Sequence, residues 1–151
     1  MNDNANGIKV LNTIIESREE LNDVMSFVAS DGTYDVEGIC FSFSANKIYF
    51  TVDRNEDTVL LMSEYPINLR NSHCIEVSGY WDHAYGKPLL WYWLMKNNRG
   101  YLDGIQFEFA KDTSDESVCI QLICLASRFS ISQVTKDPKI DKHVIQNYME
   151  S

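Results

Sequence analysis

Alternation of apolar and polar residues is the dominant pattern in this 151-residue chain. In the stretch VEGICFSFSANKIYFTVD, Ile39, Phe41 and Phe43 share one face of an extended segment, and a second alternating run follows from residue 48 to 52. A period of two indicates half-buried strands. The pattern therefore predicts a hairpin with a two-residue turn at Ala45 and Asn46, followed by a third strand over residues 58–63.

Three further alternating runs occupy the second half of the chain. They are GIQFEFA from residue 104, SVCIQLICLAS from residue 117 and RFSISQV from residue 128. The polar stretch KDTSDES separates the first two runs, which is typical of an exposed hairpin loop between neighbouring strands. Together with the first half, the pattern predicts an antiparallel sheet of about six strands in meander order.

One apolar run, KPLLWYWLMKNNRG, lacks alternation and has the signals of a helix. Pro88 suits the first turn, Lys96 and Arg99 suit the negative end of the helix dipole, and Gly100 suits a left-handed cap. A helix near 88–98 that is apolar nearly all round should be buried. The sequence therefore predicts a central helix packed on the sheet, with Trp91 and Trp93 mostly in the core.

Both ends of the chain give weaker signals. Ser17 and Glu20 form a capping-box pair, which favours a short N-terminal helix passing into a strand near residues 23–29, although the same residues also fit a strand. Ile140, Val144 and Ile145 predict a short C-terminal helix, and residues 1–7 and 137–151 are expected to be peripheral. The resulting expectation is one α+β domain spanning residues 1–151.

Charge is concentrated in the first half of the chain. The net charge is −9 overall, and residues 1–64 account for −8 of it, with four Lys/Arg against twelve Asp/Glu. Hairpin geometry brings the start of one strand beside the end of the next, so five carboxylates should meet at one edge of the sheet. This predicted acidic edge consists of Asp35, Glu37, Asp53, Glu56 and Asp57. An acidic surface disfavours direct nucleic-acid binding and favours a basic protein partner.

Sequence motifs for catalysis and metal binding are missing. The chain has no G-x-S-x-G elbow, Walker A loop, G-x-G-x-x-G or H-E-x-x-H. We therefore expect no catalytic residue, metal or cofactor. The best alternative ligand site is the aromatic loop at residues 80–87, YWDHAYGK. It consists of Trp81 and the polar residues Asp82, His83 and Lys87, which lie among aromatic residues in the sequence.

Cysteine use and hydropathy predict a cytoplasmic address. None of the four cysteines lies in a C-x-x-C pair, so we interpret them as reduced core residues. No apolar run approaches the roughly 20 residues of a membrane-spanning helix, and the start MNDNANGIKV does not resemble a signal peptide.

The segment WYWLMKNNRGYLDGIQFEF, followed by IQLICLASRFSI, resembles a family of small bacterial proteins known only as a domain of unknown function. Its members share a segment of the form W-x-x-N-x-x-G-Y-x-D between a β-meander and a closing pair of strands. The matching residues here are Trp93, Asn97 or Asn98, Gly100, Tyr101 and Asp103, with Ala126 and Ser127 near the end. Such families are often considered immunity proteins against bacterial toxins, so the resemblance implies a binding role and transfers no catalytic residue.

The favoured hypothesis is a cytoplasmic immunity protein that neutralises a basic toxin, such as a nuclease, through the acidic edge. It predicts a monomer or homodimer that is not an enzyme. Two alternatives remain open. One is an enzyme or small-ligand-binding protein that uses the aromatic loop, and the other is a self-associating structural protein.

Overall fold

The computed structural model describes residues 4–33, 35–69, 72–76, 79, 81–111, 117–126 and 128–134. The described elements are one α-helix, one short 3-10 helix at Ile67–Leu69 and nine strands. The helix α1 spans Asn4–Glu16, and the strands are β1 Leu21–Val28, β2 Val36–Phe43, β3 Lys47–Asp53, β4 Thr58–Met62, β5 His73–Glu76, β6 Leu89–Lys96, β7 Leu102–Phe109, β8 Val118–Leu125 and β9 Arg128–Val134.

The strands form two antiparallel sheets instead of the one predicted. The first sheet has five strands in the order β4-β3-β2-β1-β5, and the second has four in the order β6-β7-β8-β9. Aromatic rings from both sheets meet in one core, where the centroids of Phe41 and Phe107 lie 4.9 Å apart. Because the inward positions of every long strand are apolar, the two sheets can pack face to face and bury them. The coarse expectation of an antiparallel α+β arrangement is confirmed.

The largest difference from the sequence prediction is the segment near 88–98, which is strand β6 and not a central helix. It pairs with β7, with Tyr92 opposite Phe107 and Leu94 opposite Ile105. A short run that is apolar on all sides fits a buried helix or a strand equally well, and its Trp and Tyr residues favour strands. Trp91 consequently points away from the core and is 54% exposed, which corrects the expectation that it is buried.

The helix α1 begins and ends earlier than the sequence suggested. Its apolar stripe, Gly7, Leu11 and Ile14, has the spacing of one helix face and is buried. Residues 4–7 therefore belong to the helix. The predicted capping-box residue Ser17 follows the helix C-terminus, where its N–H donates to the carbonyl of Thr13 at 2.9 Å. Arg18, with φ of 54°, then reverses the chain into β1.

The alternating runs were correctly predicted as strands. Residues 39–43, 48–52, 58–62, 105–109, 118–125 and 128–134 all lie in strands. The turn between β2 and β3 is centred on Ser44 and Ala45, because the N–H of Phe43 donates to the carbonyl of Asn46 at 2.8 Å. Strand β5 was missed, since its four residues HCIE lack a long enough alternation. The predicted C-terminal helix lies outside the described residues.

Glu19 connects α1, β1 and the β2–β3 turn. Its side chain is only 7% exposed. Its Oε1 accepts the N–H groups of Ala45 at 2.7 Å and Asn46 at 3.0 Å, and its Oε2 accepts Nδ2 of Asn46 at 2.6 Å. Three donors replace the water that a buried carboxylate loses. One side chain thus fixes the turn against the end of α1.

Candidate functional site

The carboxylates predicted to form the acidic edge lie on loops and strand ends at one end of the two sheets. Asp53, at the end of β3, is paired with Thr58 at the start of β4, and the β3–β4 loop lies between them. Arg54 in that loop forms an ion pair with Glu37 of β2. The β8–β9 turn reaches the same end, because Nη1 of Arg128 lies 3.2 Å from Oδ1 of Asp35.

Backbone and side-chain hydrogen bonds fix the β3–β4 loop. The carbonyl of Asp53 accepts the N–H of Asp57 at 2.7 Å, and its Oδ1 accepts the N–H of Asn55 at 3.0 Å. Asp57 adopts a φ of 55°, which Asp tolerates better than most residues. The buried thiol of Cys124 lies 3.2 Å from Oδ1 of Asp57 and ties the loop to β8. These contacts hold the acidic edge in a defined shape.

Two arginines partly neutralise the acidic edge. Arg54 forms an ion pair with Glu37, and Arg128 forms one with Asp35, so two guanidinium groups contact an edge of five carboxylates. Glu56 is exposed. A sixth carboxylate, Asp31, lies in the β1–β2 loop, where hydrogen bonds from the Thr33 hydroxyl and N–H hold its pKa below the usual value. Asp31 therefore adds a further carboxylate to this end of the molecule.

The aromatic loop does not gather its four predicted residues around a common point. Trp81 is fully buried in the core, with its ring centroid 5.0 Å from that of Phe41. Asp82 and His83 are exposed, and Oδ2 of Asp82 accepts the N–H of Gly79 at 3.2 Å. Lys87 is partly buried, and its backbone carbonyl accepts the N–H of Leu21 at 3.0 Å.

The N-x-x-G-Y-x-D part of the family segment, residues 97–103, forms the turn between β6 and β7; Trp93 lies one residue before the position that the motif's spacing gives to tryptophan. Oδ1 of Asn97 accepts the N–H groups of Arg99 at 2.9 Å and Tyr101 at 3.1 Å. The backbone N–H of Asn97 also donates to the carbonyl of Tyr101 at 2.9 Å, and Gly100 has a φ of 83° that favours glycine. The asparagine of this motif is therefore structural, and it is Asn97 that makes these contacts.

Comparison with known protein families matches residues 1–137 to DUF6334, described as a family of unknown function. The chain belongs to DUF6334. The match includes the helix α1 and strands of both sheets, and so extends well beyond the segments that carry the resemblance. Searches of curated proteins and of solved structures gave no significant match to this DUF6334 chain.

The described part of this DUF6334 chain offers no metal site. No group of three or more His, Cys, Asp or Glu side chains within it could hold an ion. Cys40, Cys119 and Cys124 are buried and form no disulfide, as predicted, whereas Cys74 is exposed. Burial raises the pKa of Cys40, so its thiol stays protonated at neutral pH. Among the described helices, none has the length and apolar character needed to cross a membrane.

A cleft that the sequence did not predict lies beside the acidic edge. It has a volume of about 280 Å³ and is formed by the start of α1, strand β4 and the β6–β7 hairpin. Glu56, Lys96 and Tyr101 line it together with Ile8 and Leu94. No motif signals such a cleft, because its walls come from three segments that are far apart in the sequence.

Proposed function

We propose that this DUF6334 chain is a small protein-binding module of the cytoplasm, an immunity protein that neutralises a basic toxin such as a nuclease. The acidic edge is its binding surface. The observation that carries this proposal is the grouping of five carboxylates with only two contacting guanidinium groups at one end of the described molecule. A surface of one charge sign attracts a partner of the opposite sign and repels nucleic acid.

Contacts between the acidic loops and the second sheet also support this role. The contacts from Cys124 to Asp57 and from Arg128 to Asp35 tie both acidic loops to the second sheet. A binding surface that is ordered before the partner arrives loses less conformational entropy on association. The carboxylates of Glu37 and Asp35 can also exchange their arginine partners for those of a basic protein.

Reversing the charge of Glu56 should slow binding to the partner without unfolding the protein. Asp53 and Asp57 are less suitable for this test, because their carboxylates hold the β3–β4 loop. We expect Glu56→Lys to lower the association rate constant about fivefold at low salt and much less at high salt. Stopped-flow mixing with the partner purified from the native cell measures this rate constant.

Glu64→Lys is the matched control, because Glu64 is also exposed but follows the opposite end of β4. Its association rate constant should be close to that of the unmodified chain. The proposal further requires that the partner is basic, arrests growth when produced alone and is harmless when produced with this chain. An acidic partner, or equal rates for both variants, would contradict it.

Self-association is a second candidate, favoured by the outer face of the four-stranded sheet. Trp91 of β6 and Leu125 of β8 both point away from the core on this face, and each is 54% exposed. Exposed aromatic and aliphatic side chains on one sheet face are typical of contacts between protein copies. The aromatic loop has weaker support as an enzyme or small-ligand site, because its Trp81 is enclosed in the core.

Light scattering distinguishes a self-associating protein from a monomeric inhibitor. If the outer face joins two copies, the unmodified chain should have twice the monomer mass at micromolar concentration, and Trp91→Glu should halve it, because a buried unpaired carboxylate is costly. Ile67→Glu changes a more exposed residue elsewhere and should leave the mass unchanged. A monomer mass for the unmodified chain would reject self-association through this face.

A further inference from the structure

The outer face of the four-stranded sheet carries an apolar surface. Phe107 is fully buried in the core, so its neighbours Gln106 and Glu108 in β7 face outward. Residues paired across an antiparallel sheet share a face, which assigns the outward residues of the other strands. The larger apolar residues of this outer face are Trp91, Trp93, Met95, Cys119, Ile123 and Leu125.

The described elements that pack closely on this sheet lie on its inner side. Strands β2 and β4 contact it there around the shared core. The helix α1 contacts β6 on the same side, because the hydroxyl of Tyr92, which is paired with the buried Phe107, donates to Oδ1 of Asn12 at 2.8 Å. A second layer on the outer face must therefore come from outside the described elements.

Several outward side chains are nevertheless nearly inaccessible to water. Gln106 is 4% exposed, Cys119 is 6% exposed and Met95 is 7% exposed, whereas Trp91 and Leu125 are each 54% exposed. A sheet face that is left to water is usually polar and solvated. The low exposure in the middle of this face, over β7 and β8, indicates that a further part of the protein covers it.

The chain leaves the same sheet beside this covered area. Strand β9 is the edge strand, and its last residue, Val134, is paired with the outward residue Cys119. Residues 135–151, TKDPKIDKHVIQNYMES, follow directly and lie outside the described residues. They form the nearest part of the chain that could cover the outer face.

The sequence of this segment predicts an amphipathic helix over residues 138–149. Asp137 suits the N-cap position, and Pro138 suits the first turn. Ile140, Val144 and Tyr148 recur at intervals of four and share one face, with Ile145 beside them. Such a stripe needs an apolar surface to pack against, and the outer face of the sheet offers one.

The dimensions of the segment and of the sheet agree. A helix over residues 138–149 is about 18 Å long. The sheet measures about 14 Å from β6 to β9, because adjacent strands lie about 4.8 Å apart. Residues 135–137 can span about 10 Å, which is enough to lift the chain from β9 to a layer above the sheet. The helix can therefore return across the whole outer face.

We propose that residues 138–149 form a helix that docks on the outer face of the four-stranded sheet, with Val144 and Ile145 against Trp93 and Ile123. The docked helix covers β7 and β8 and leaves Trp91 and Leu125 at its margins. It competes with a second copy of the chain for this face, so the covered chain is a monomer. The inference does not depend on the proposed role as an inhibitor.

Methyl NMR of the unmodified full chain tests this docking directly. With the isoleucine and valine methyl groups labelled with ¹³C, we expect NOEs that join Ile123 to Val144 or Ile145. Ile39, in the core of the first sheet, is the control and should show no NOE to either residue. A mixture of differently labelled chains distinguishes contact within one copy from contact between two. Lack of these NOEs, or NOEs between copies alone, would overturn the proposal.

Oxidation of Met95 by hydrogen peroxide, followed by mass spectrometry, provides a second test. Val144→Asp places a charge in the apolar stripe and should release the helix, so the oxidation rate of Met95 should rise about fivefold. Gln146→Asp is the matched control, because Gln146 lies on the opposite side of the predicted helix, and it should leave this rate unchanged. Met25, in the first sheet, should keep its rate in both variants. Equal oxidation of Met95 in the two variants would contradict the docking.

Discussion

Replacing Phe41 with alanine is expected to lower the free energy of unfolding by about 4 kcal/mol. Phe41 is fully buried in β2, and its ring meets five other aromatic rings across and within the sheets. Those rings are Phe43, Phe50, Trp81, Phe107 and Phe109. Removal of the ring leaves a cavity between two β-sheets, which cannot close without moving one of them.

Urea unfolding followed by circular dichroism measures this loss. Tyr101→Ala serves as the control, because it removes an aromatic ring that is 46% exposed and should cost less than about 1 kcal/mol. The loss of unfolding free energy for Phe41→Leu should lie between those for Phe41→Ala and Tyr101→Ala, since leucine keeps most of the apolar volume. A loss below about 1 kcal/mol for Phe41→Ala would contradict face-to-face packing of the two sheets around this residue.

Glu19→Ala should lower the free energy of unfolding by about 3 kcal/mol, although it removes no apolar contact of the core. The substitution leaves the N–H groups of Ala45 and Asn46 and the side-chain amide of Asn46 without their acceptor. Each unsatisfied donor costs about 1–3 kcal/mol when water cannot reach it fully. The same urea titration measures the effect, and hydrogen exchange at residues 44–46 locates it.

Two further variants separate the hydrogen bonds of Glu19 from its charge. Glu20→Ala removes a neighbouring carboxylate whose side chain is exposed, and we expect a change within about 0.5 kcal/mol. For Glu19→Gln, the loss of unfolding free energy should lie between those of Glu19→Ala and Glu20→Ala. Its amide oxygen can accept hydrogen bonds from two of the three donors, while its NH₂ group faces the third. If Glu19→Ala and Glu20→Ala were equally stable, the proposed role of Glu19 in fixing the turn would be wrong.

Much of the strand content could be predicted from alternation alone. In β2, β3, β7 and β8 the inward residues are apolar and many outward residues are polar, so a period of two is visible in the sequence. Strand β6 escaped prediction because both of its faces are apolar, with Leu94 facing the core and Trp91 facing outward. Its pairing with β7 decides the conformation of β6. Local helix propensity carries no information about such a contact between distant segments.

Hairpin geometry predicted where the acidic edge lies, but it did not predict which positive side chains contact its carboxylates. Arg54 is adjacent to Asp53 in sequence, yet its partner Glu37 lies on a neighbouring strand. Arg128 meets Asp35 only because the second sheet packs against the first. Tertiary packing also encloses Trp81 in the core and brings Lys96 and Glu56 to one cleft. The alternation of apolar and polar residues does not encode such packing.

Hydrogen exchange of the complex with the native partner, compared with the free chain, tests the proposed binding surface most directly. We predict slower exchange at residues 29–33, 35–37 and 53–58, which form the acidic edge and its loops, and no change on the outer face of the four-stranded sheet. Protection confined to β6 and β8, with the acidic loops exchanging at their free rates, would contradict it.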